Sequence, residues 1–305
     1  MNSNTTRRKF LAGSMAAAGA AVLGKTGATG AAAPLTQAAS AADKPLPVTK
    51  GVVWGMLPKE LSIADRMKLA RDAGFQNVQT YTEPDQATAE EIKRAAEDAG
   101  IIIRDVMNQA HWKYPLSSSD PEVVEKSLEG MRVSLQNAKF WGADSVLLVP
   151  AVVNPETRYE DAWSRSVEQI GKLLPLAEEL QVVIAIEEVW NRFLLSPIEF
   201  RNYVDHFDSP WLKAYFDVGN VLLYGYPEDW IRTLRYRIDK VHLKDFKRDG
   251  YQFVNLGDGD LNWPAVREAL MAVGYHGPVT VEIRGGDLAY LKDVANRVDR
   301  LLING

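Results

Sequence analysis

Cysteine is absent from the chain, which excludes disulfides, thiolate metal sites and a lipid-modified cysteine anchor. Positive charge is in deficit, with 35 Lys and Arg against 40 Asp and Glu. An acidic balance of this kind repels nucleic acid and anionic membrane surfaces. Histidine occurs only four times in 305 residues, so few imidazoles are available to any metal. The apolar run from Leu11 to Gly24 is too short and too rich in Ala and Gly to span a bilayer. No Gly-rich phosphate loop follows the first apolar strand, which argues against an open, doubly wound nucleotide-binding sheet.

Residues 1–42 read as an export signal and flexible linker. Thr6-Arg7-Arg8-Lys9-Phe10-Leu11 is a twin-arginine pattern ahead of the Ala/Gly run, and an Ala-, Gly-, Ser- and Pro-rich stretch continues to Pro45. The expectation is Tat export to the periplasm, with cleavage after Ala28 or within Ala39-Ser40-Ala41. Cleavage at 42 would remove Arg7, Arg8, Lys9 and Lys25 and no acid, leaving 31 bases against 40 acids. The Tat route carries folded proteins, so a metal acquired in the cytoplasm would travel with the chain. Residues 43–305 then form one domain.

From Lys50 onward, short apolar runs alternate with amphipathic stretches. Strands are expected over Gly51–Trp54, Asn77–Gln79, Ile101–Val106 and Ser145–Pro150, with helices over Ile63–Ala73, Thr88–Ala99, Asp120–Phe140 and Tyr159–Leu180. Thr88 is read as a helix cap, Asp120-Pro121 and Ser196-Pro197 as caps followed by Pro in the first turn, and Gly74 and Gly100 as stops. The second half continues with a helix to His206, another over Pro227–Leu234, a Gly-rich loop, a helix over Trp263–Val273 and a last one over Asp287–Leu302. Strict alternation of this kind predicts a (β/α)8 TIM barrel.

Four strands of the second half each close on a group able to bind a metal. Val182–Glu188 reaches Glu187, Leu212–Asp217 ends on Asp217, Ile238–His242 on His242 and Pro278–Glu282 on Glu282. One charge at the end of a buried strand is costly, and four in succession need a common compensation. In a barrel all four would face one pocket at the C-terminal mouth. Three carboxylates and one imidazole form a hard, oxygen-rich set suited to Mn2+, with Mg2+, Co2+ or Zn2+ as further candidates. A carbonyl polarised there would acidify the neighbouring C–H, and glutamates on either side could move its proton. That chemistry is epimerisation or ketose–aldose isomerisation through an enediolate.

From Gly51 to Ile283 the chain resembles the xylose isomerase-like TIM-barrel superfamily of sugar phosphate isomerases and epimerases. The resemblance is carried by Ile186-Glu187 with Val189-Trp190-Asn191-Arg192-Phe193, by Phe216-Asp217-Val218-Gly219-Asn220, by Val241-His242-Leu243-Lys244-Asp245, and by Gly274-Tyr275-His276-Gly277 leading to Val281-Glu282. It implies that Glu187, Asp217, His242 and Glu282 bind the metal and that Glu187 and Glu282 serve as acid and base. Two departures stand out. Glu188 follows Glu187 directly, and an alternative alignment would make Glu188 the ligand, with a salt bridge or solvent as its other environment. Asn220 stands where some epimerases carry a substrate-binding His.

Further candidates for substrate contact are His111 and Trp112 after the third strand, Trp54 at the end of the first, Asn191 after the fifth, Asn220 after the sixth and Lys244 after the seventh. Trp54 has core packing as its plainer role. Trp190 is a further neighbour of the fifth-strand ligand. Lys244, Lys247 and Arg248 make either a phosphate site or a solvated charged loop. Gly257-Asp258-Gly259-Asp260 lacks the later ligands of a calcium loop and reads as a capped turn.

The functional expectation is a metal-dependent sugar isomerase or epimerase. Because phosphorylated sugars are scarce outside the cytoplasm, a free sugar or keto-sugar is the expected small-molecule partner, and a homo-oligomer is compatible with such barrels. The alternatives are β-elimination from 3-keto-glycosides by the same enolising site and a non-catalytic periplasmic sugar-binding barrel. An endonuclease of the related type would need more His ligands and a basic groove.

Overall fold

The computed structural model describes residues 44–305. The twin-arginine pattern, the expected cleavage points and the 42/43 boundary lie outside the described residues. Seven parallel strands succeed one another: β1 (Thr49–Val53), β2 (Asn77–Tyr81), β3 (Ile102–Met107), β4 (Ser145–Leu148), β5 (Val183–Glu187), β6 (Leu212–Asp217) and β7 (Ile238–Leu243). A small hairpin, β8 (Asp245–Lys247) and β9 (Gln252–Val254), comes next, and β10 (Pro278–Val281) then closes the barrel between β7 and β1. The outer layer is α1 (Ile63–Asp72), α2 (Gln86–Ala99), α3 (Pro121–Trp141), α4 (Tyr159–Leu180), α5 (Pro197–His206), α6 (Pro227–Leu234), α7 (Trp263–Ala272) and α8 (Leu288–Val298). This is the expected (β/α)8 architecture, with a continuous apolar core between strands and helices.

Helix starts follow local chemistry. Asp120, Ser196 and Asn262 accept hydrogen bonds from Glu122, Glu199 and Ala265 backbone N–H groups, each with Pro in the first turn that follows. At α2 the expected Thr88 cap is replaced by Asp85, which takes both the Thr88 N–H and its hydroxyl at 2.8 Å. The carboxylate three residues earlier is the better acceptor, and Thr88 therefore lies inside the first turn. Trp54 begins a short 3-10 turn rather than ending β1.

The expected Gly-rich loop after β7 contains the β8–β9 hairpin, with Phe246 opposite Phe253. Three-residue strands are too short to display a period. The chain reverses through Gly250 and Tyr251, with φ of 81° and 52°, and Gly250 was the local sign in the sequence.

Two irregularities in strand pairing set the barrel interior. Arg104 is the extra residue of β3 opposite the Val78/Gln79 step, so Gln79 pairs with Asp105. Asp239 is the extra residue of β7, so Tyr215 pairs with Lys240 and Asp217 with His242. Such bulges re-aim side chains while the ladder continues.

The α5 cap is reciprocal: Ser196 Oγ accepts from Glu199 N at 3.2 Å, and the Glu199 carboxylate accepts from Leu195 N at 2.8 Å. Ser196→Ala is expected to lower stability by about 1 kcal/mol, read as a lower urea midpoint at constant slope. An unchanged midpoint would assign the start of α5 to Pro197 and Glu199 alone.

Candidate metal centre

β5, β6 and β7 deliver Glu187, Asp217 and His242 to one point at the C-terminal mouth of the barrel, and Glu282 follows the last residue of β10. One ligand atom from each of the four lies within 4.8 Å of the others. His242 Nδ1 stands 2.8 Å from Glu187 Oε1, 3.3 Å from Glu282 Oε2 and 3.8 Å from Asp217 Oδ2. Asp217 Oδ1 accepts from the backbone of Gly219 and Asn220 at 2.8 and 2.9 Å. Its other oxygen is buried and receives no aligned hydrogen bond, although Lys244 Nζ comes within 3.1 Å.

An acceptor left over in a pocket of carboxylates is what a cation satisfies. The four donors, three oxygens and one nitrogen, fit a hard divalent ion.

Lys244 is not part of a solvated loop. Its side chain is largely shielded and the ammonium sits between Asp217 and Glu282, 2.6 Å from Glu282 Oε2. Gly219 allows this approach, since a Cβ there would meet Lys244 Cβ at 2.6 Å. Arg248, expected beside it, donates to the carbonyls of Leu222 and Gly225 at 2.9 and 3.2 Å, and Lys247 is exposed.

Electrostatics separate the glutamates. Burial raises the Glu187 carboxyl, with His242 opposing, whereas for Glu282 burial is outweighed by Lys244 and His242 and the carboxyl is lowered. Burial works against charge on His242, but Glu282 and Glu187 outweigh it and lift the imidazole to about 9.

Glu188 points away from the cluster. It is buried, and one oxygen accepts from Asp217 N at 3.1 Å while the other has no partner. Neither the salt bridge nor the solvent expected for it is present. Burial, then Asp217 and Glu187, push its carboxyl well above the ordinary range.

The remaining candidates divide. His111 is buried, its Nδ1 accepts from Val149 N at 3.3 Å, and burial pushes its imidazole down to about 3. It is therefore neutral. Trp112 packs its edge on His111 and is 58% exposed. Trp54 lies under the Arg66 guanidinium, 3.6 Å from the ring centroid, on a half-buried face. Asn191 is engaged on both side-chain atoms by loop backbone, donating to Ala151 O and accepting from Phe193 N. Asn220 donates to Glu188 O at 3.0 Å. Both asparagines are buried braces for the loops that carry the acids. Trp190 donates to Asn220 O and stacks on Phe253 of the hairpin at 4.8 Å.

Sequence reasoning missed a layer beneath the cluster: Gln79 of β2, Asp105 of β3 and Tyr215 of β6. Their signal was polar residues at alternate positions of strands that a parallel barrel normally fills with apolar ones.

The model of the xylose isomerase-like TIM barrel family matches residues 67–300. The chain belongs to this family. Its relatives include the L-ribulose-5-phosphate 3-epimerase UlaE of Escherichia coli O1:K1 / APEC, 28% identical over 253 residues that cover 76% of this chain and 86% of the relative. The same enzyme of Salmonella paratyphi B is 25% identical over 246 residues, covering 76% and 86%. Among solved structures, D-psicose 3-epimerase with D-fructose superposes with a TM-score of 0.70 at 18% identity, covering 85% of this chain and all of that one. The 3-keto-D-glucoside 4-epimerase YcjR of E. coli gives 0.71 at 16% identity, covering 83% and 98%. At such identities the solved structures speak for the fold.

Glu188→Gln separates the adjacent glutamates. A carboxyl raised above its ordinary 4.5 gives stability below that pH and loses it as pH rises through the folded value. The metal-free Glu188→Gln protein is therefore expected to lose less stability than wild type between about pH 5 and 8, by up to ~1.4 kcal/mol per unit within the titration range. Equal slopes in denaturant titrations would mean that Glu188 is ionised in the folded chain.

Proposed function

We propose that the chain is a divalent-metal-dependent sugar epimerase that inverts the carbon beside a carbonyl. The observation that carries this reading is the convergence of Glu187, Asp217, His242 and Glu282 within 4.8 Å, in a chain whose relatives are sugar 3-epimerases. Those four residues would hold the ion, with Mn2+ the best match to the donors. When bound, it supplies Lewis-acid polarisation of the sugar carbonyl.

Glu187 and Glu282 stand on the outer strands of the four-strand arc, with Asp217 and His242 between them. An epimerase needs a group on each face of the inverted carbon. Glu282, held ionised by Lys244 and His242, is set to take the proton, and Glu187, raised by burial, to return one from the other side. Neutral His111 is available as a hydrogen-bond donor to the sugar, and Trp112 as an apolar face beside it. Lys244 helps keep Glu282 ionised.

The substrate in this reading is a free ketose or keto-sugar. The cations that follow β7 do not make a phosphate cradle, since Lys244 is spent on carboxylates and Arg248 on carbonyls. The twin-arginine pattern supports the same choice, because the export expected from it would bring the protein to the periplasm, where phosphorylated sugars are scarce.

Incubation of the metal-loaded protein with a panel of ketoses and 3-keto-glycosides in deuterated water tests the reaction by NMR. Deuterium is expected at the carbon next to the carbonyl together with the epimer, and EDTA is expected to abolish both while leaving the circular dichroism spectrum intact. Undiminished turnover after chelation would sink the reading. Glu187→Gln and Glu282→Gln are each expected to lower kcat by at least about 10²-fold, the usual contribution of a general acid or base. A variant of either with wild-type exchange would remove that glutamate from the reaction.

A further inference from the structure

Gln79 and Asp105 lie beneath the cluster in the closed interior of the barrel, where no substrate reaches them. Both are buried. Their hydrogen bonds form a directed chain. Gln79 Nε2 donates to Asp105 Oδ2 at 2.6 Å and to the Tyr215 hydroxyl at 3.1 Å, and Gln79 Oε1 faces His242 Nε2 at 3.0 Å.

The donors and acceptors in this chain leave little freedom. An ionised Asp105 only accepts. If it is protonated on Oδ1, the oxygen without a partner, Oδ2 still accepts. In both states the amide NH2 faces Asp105 and its carbonyl oxygen faces His242; the reverse orientation requires a proton on Oδ2 itself and leaves the buried Oδ1 as a carbonyl oxygen with no donor. His242 Nε2 must then carry a proton and donate it. The consequence appears at the far side of the ring, where Nδ1 points into the carboxylates, 2.8 Å from Glu187 Oε1. In the neutral ring Nδ1 is a lone pair, the form a metal ligand needs.

We propose that Gln79, oriented by Asp105, is a positioning residue that fixes His242 as the Nε2–H tautomer and presents Nδ1 to a divalent cation. This rests on the metal-centre reading above. The β3 bulge at Arg104 is part of the device, because the pairing it produces sets Asp105 opposite Gln79. Tyr215, whose ring centroid lies 4.3 Å from that of His242, closes the pocket around the imidazole.

The direct test is long-range proton–nitrogen NMR on the 15N-histidine-labelled chain saturated with Zn2+. Only four histidines are present, and a His242→Gln sample assigns the signal. A protonated Nε2 on His242 supports the proposal, and a proton on Nδ1 overturns it. This measurement requires no variant at position 79 and so does not depend on how such a variant folds.

Calorimetric titration with Mn2+ gives the second readout. Gln79→Leu is expected to weaken binding 10- to 100-fold, the usual cost of losing a partner behind a ligating His. Gln79→Glu can share one proton with Asp105 and still accept from Nε2–H, so it is expected to stay within about threefold of wild type. A Gln79→Leu protein that binds Mn2+ as wild type does would overturn the positioning role alone. Wild-type protein that binds no divalent ion would overturn the metal centre itself, and this inference with it.

Discussion

Three carboxylates and an imidazole occupy a space under 5 Å across, at the ends of strands that are otherwise apolar. Two like charges 4 Å apart near a protein surface repel by about 4 kcal/mol, and Glu187, Asp217 and Glu282 meet three ways. The rest of the C-terminal face answers this concentration of negative charge. The Gly219 and Asn220 amides cap one oxygen of Asp217, Lys244 lies between Asp217 and Glu282, and the His242 imidazole is drawn toward its charged form. One Asp217 oxygen still lacks an aligned donor. A divalent cation would satisfy what the protein's own groups leave unsatisfied.

The barrel makes this concentration tolerable by supporting it from two directions. From outside, Glu188, Asn191 and Asn220 tie the loops after β5 and β6 to backbone groups, so the acids sit on braced rather than mobile segments. From below, Gln79 and Asp105 hold the far edge of His242. A site held on both sides keeps its geometry when its charge changes, the requirement for electrostatic preorganisation. The hairpin adds a third wall, where Phe253 stacks on Trp190.

Membership of the xylose isomerase-like TIM barrel family agrees with this physical picture without prescribing a substrate. The curated relatives are 3-epimerases of a phosphorylated ketose, whereas after β7 of this chain Lys244 is turned onto carboxylates and Arg248 onto backbone carbonyls, with Lys247 exposed.

The alternation of strands and helices, most element boundaries and the convergence of Glu187, Asp217, His242 and Glu282 were legible in the amino-acid order, because 3.6- and two-residue periods, caps followed by Pro and charges at strand ends are all local signals. The choice of Glu187 over Glu188 for the cluster was weighted by strand alternation, yet Glu188's actual surroundings, a backbone N–H and no counter-ion, were not foreseeable. The burial of Lys244 and the Gln79–Asp105–His242 chain were decided only by tertiary structure. Lys244 reads as part of a charged loop until Gly219 is packed against it, and Gln79 and Asp105 are 26 residues apart and meet through a strand bulge. Hydrogen bonds across a closed barrel join positions that no sequence period connects, so local patterns place the four clustered side chains while only closure of the sheet supplies their support.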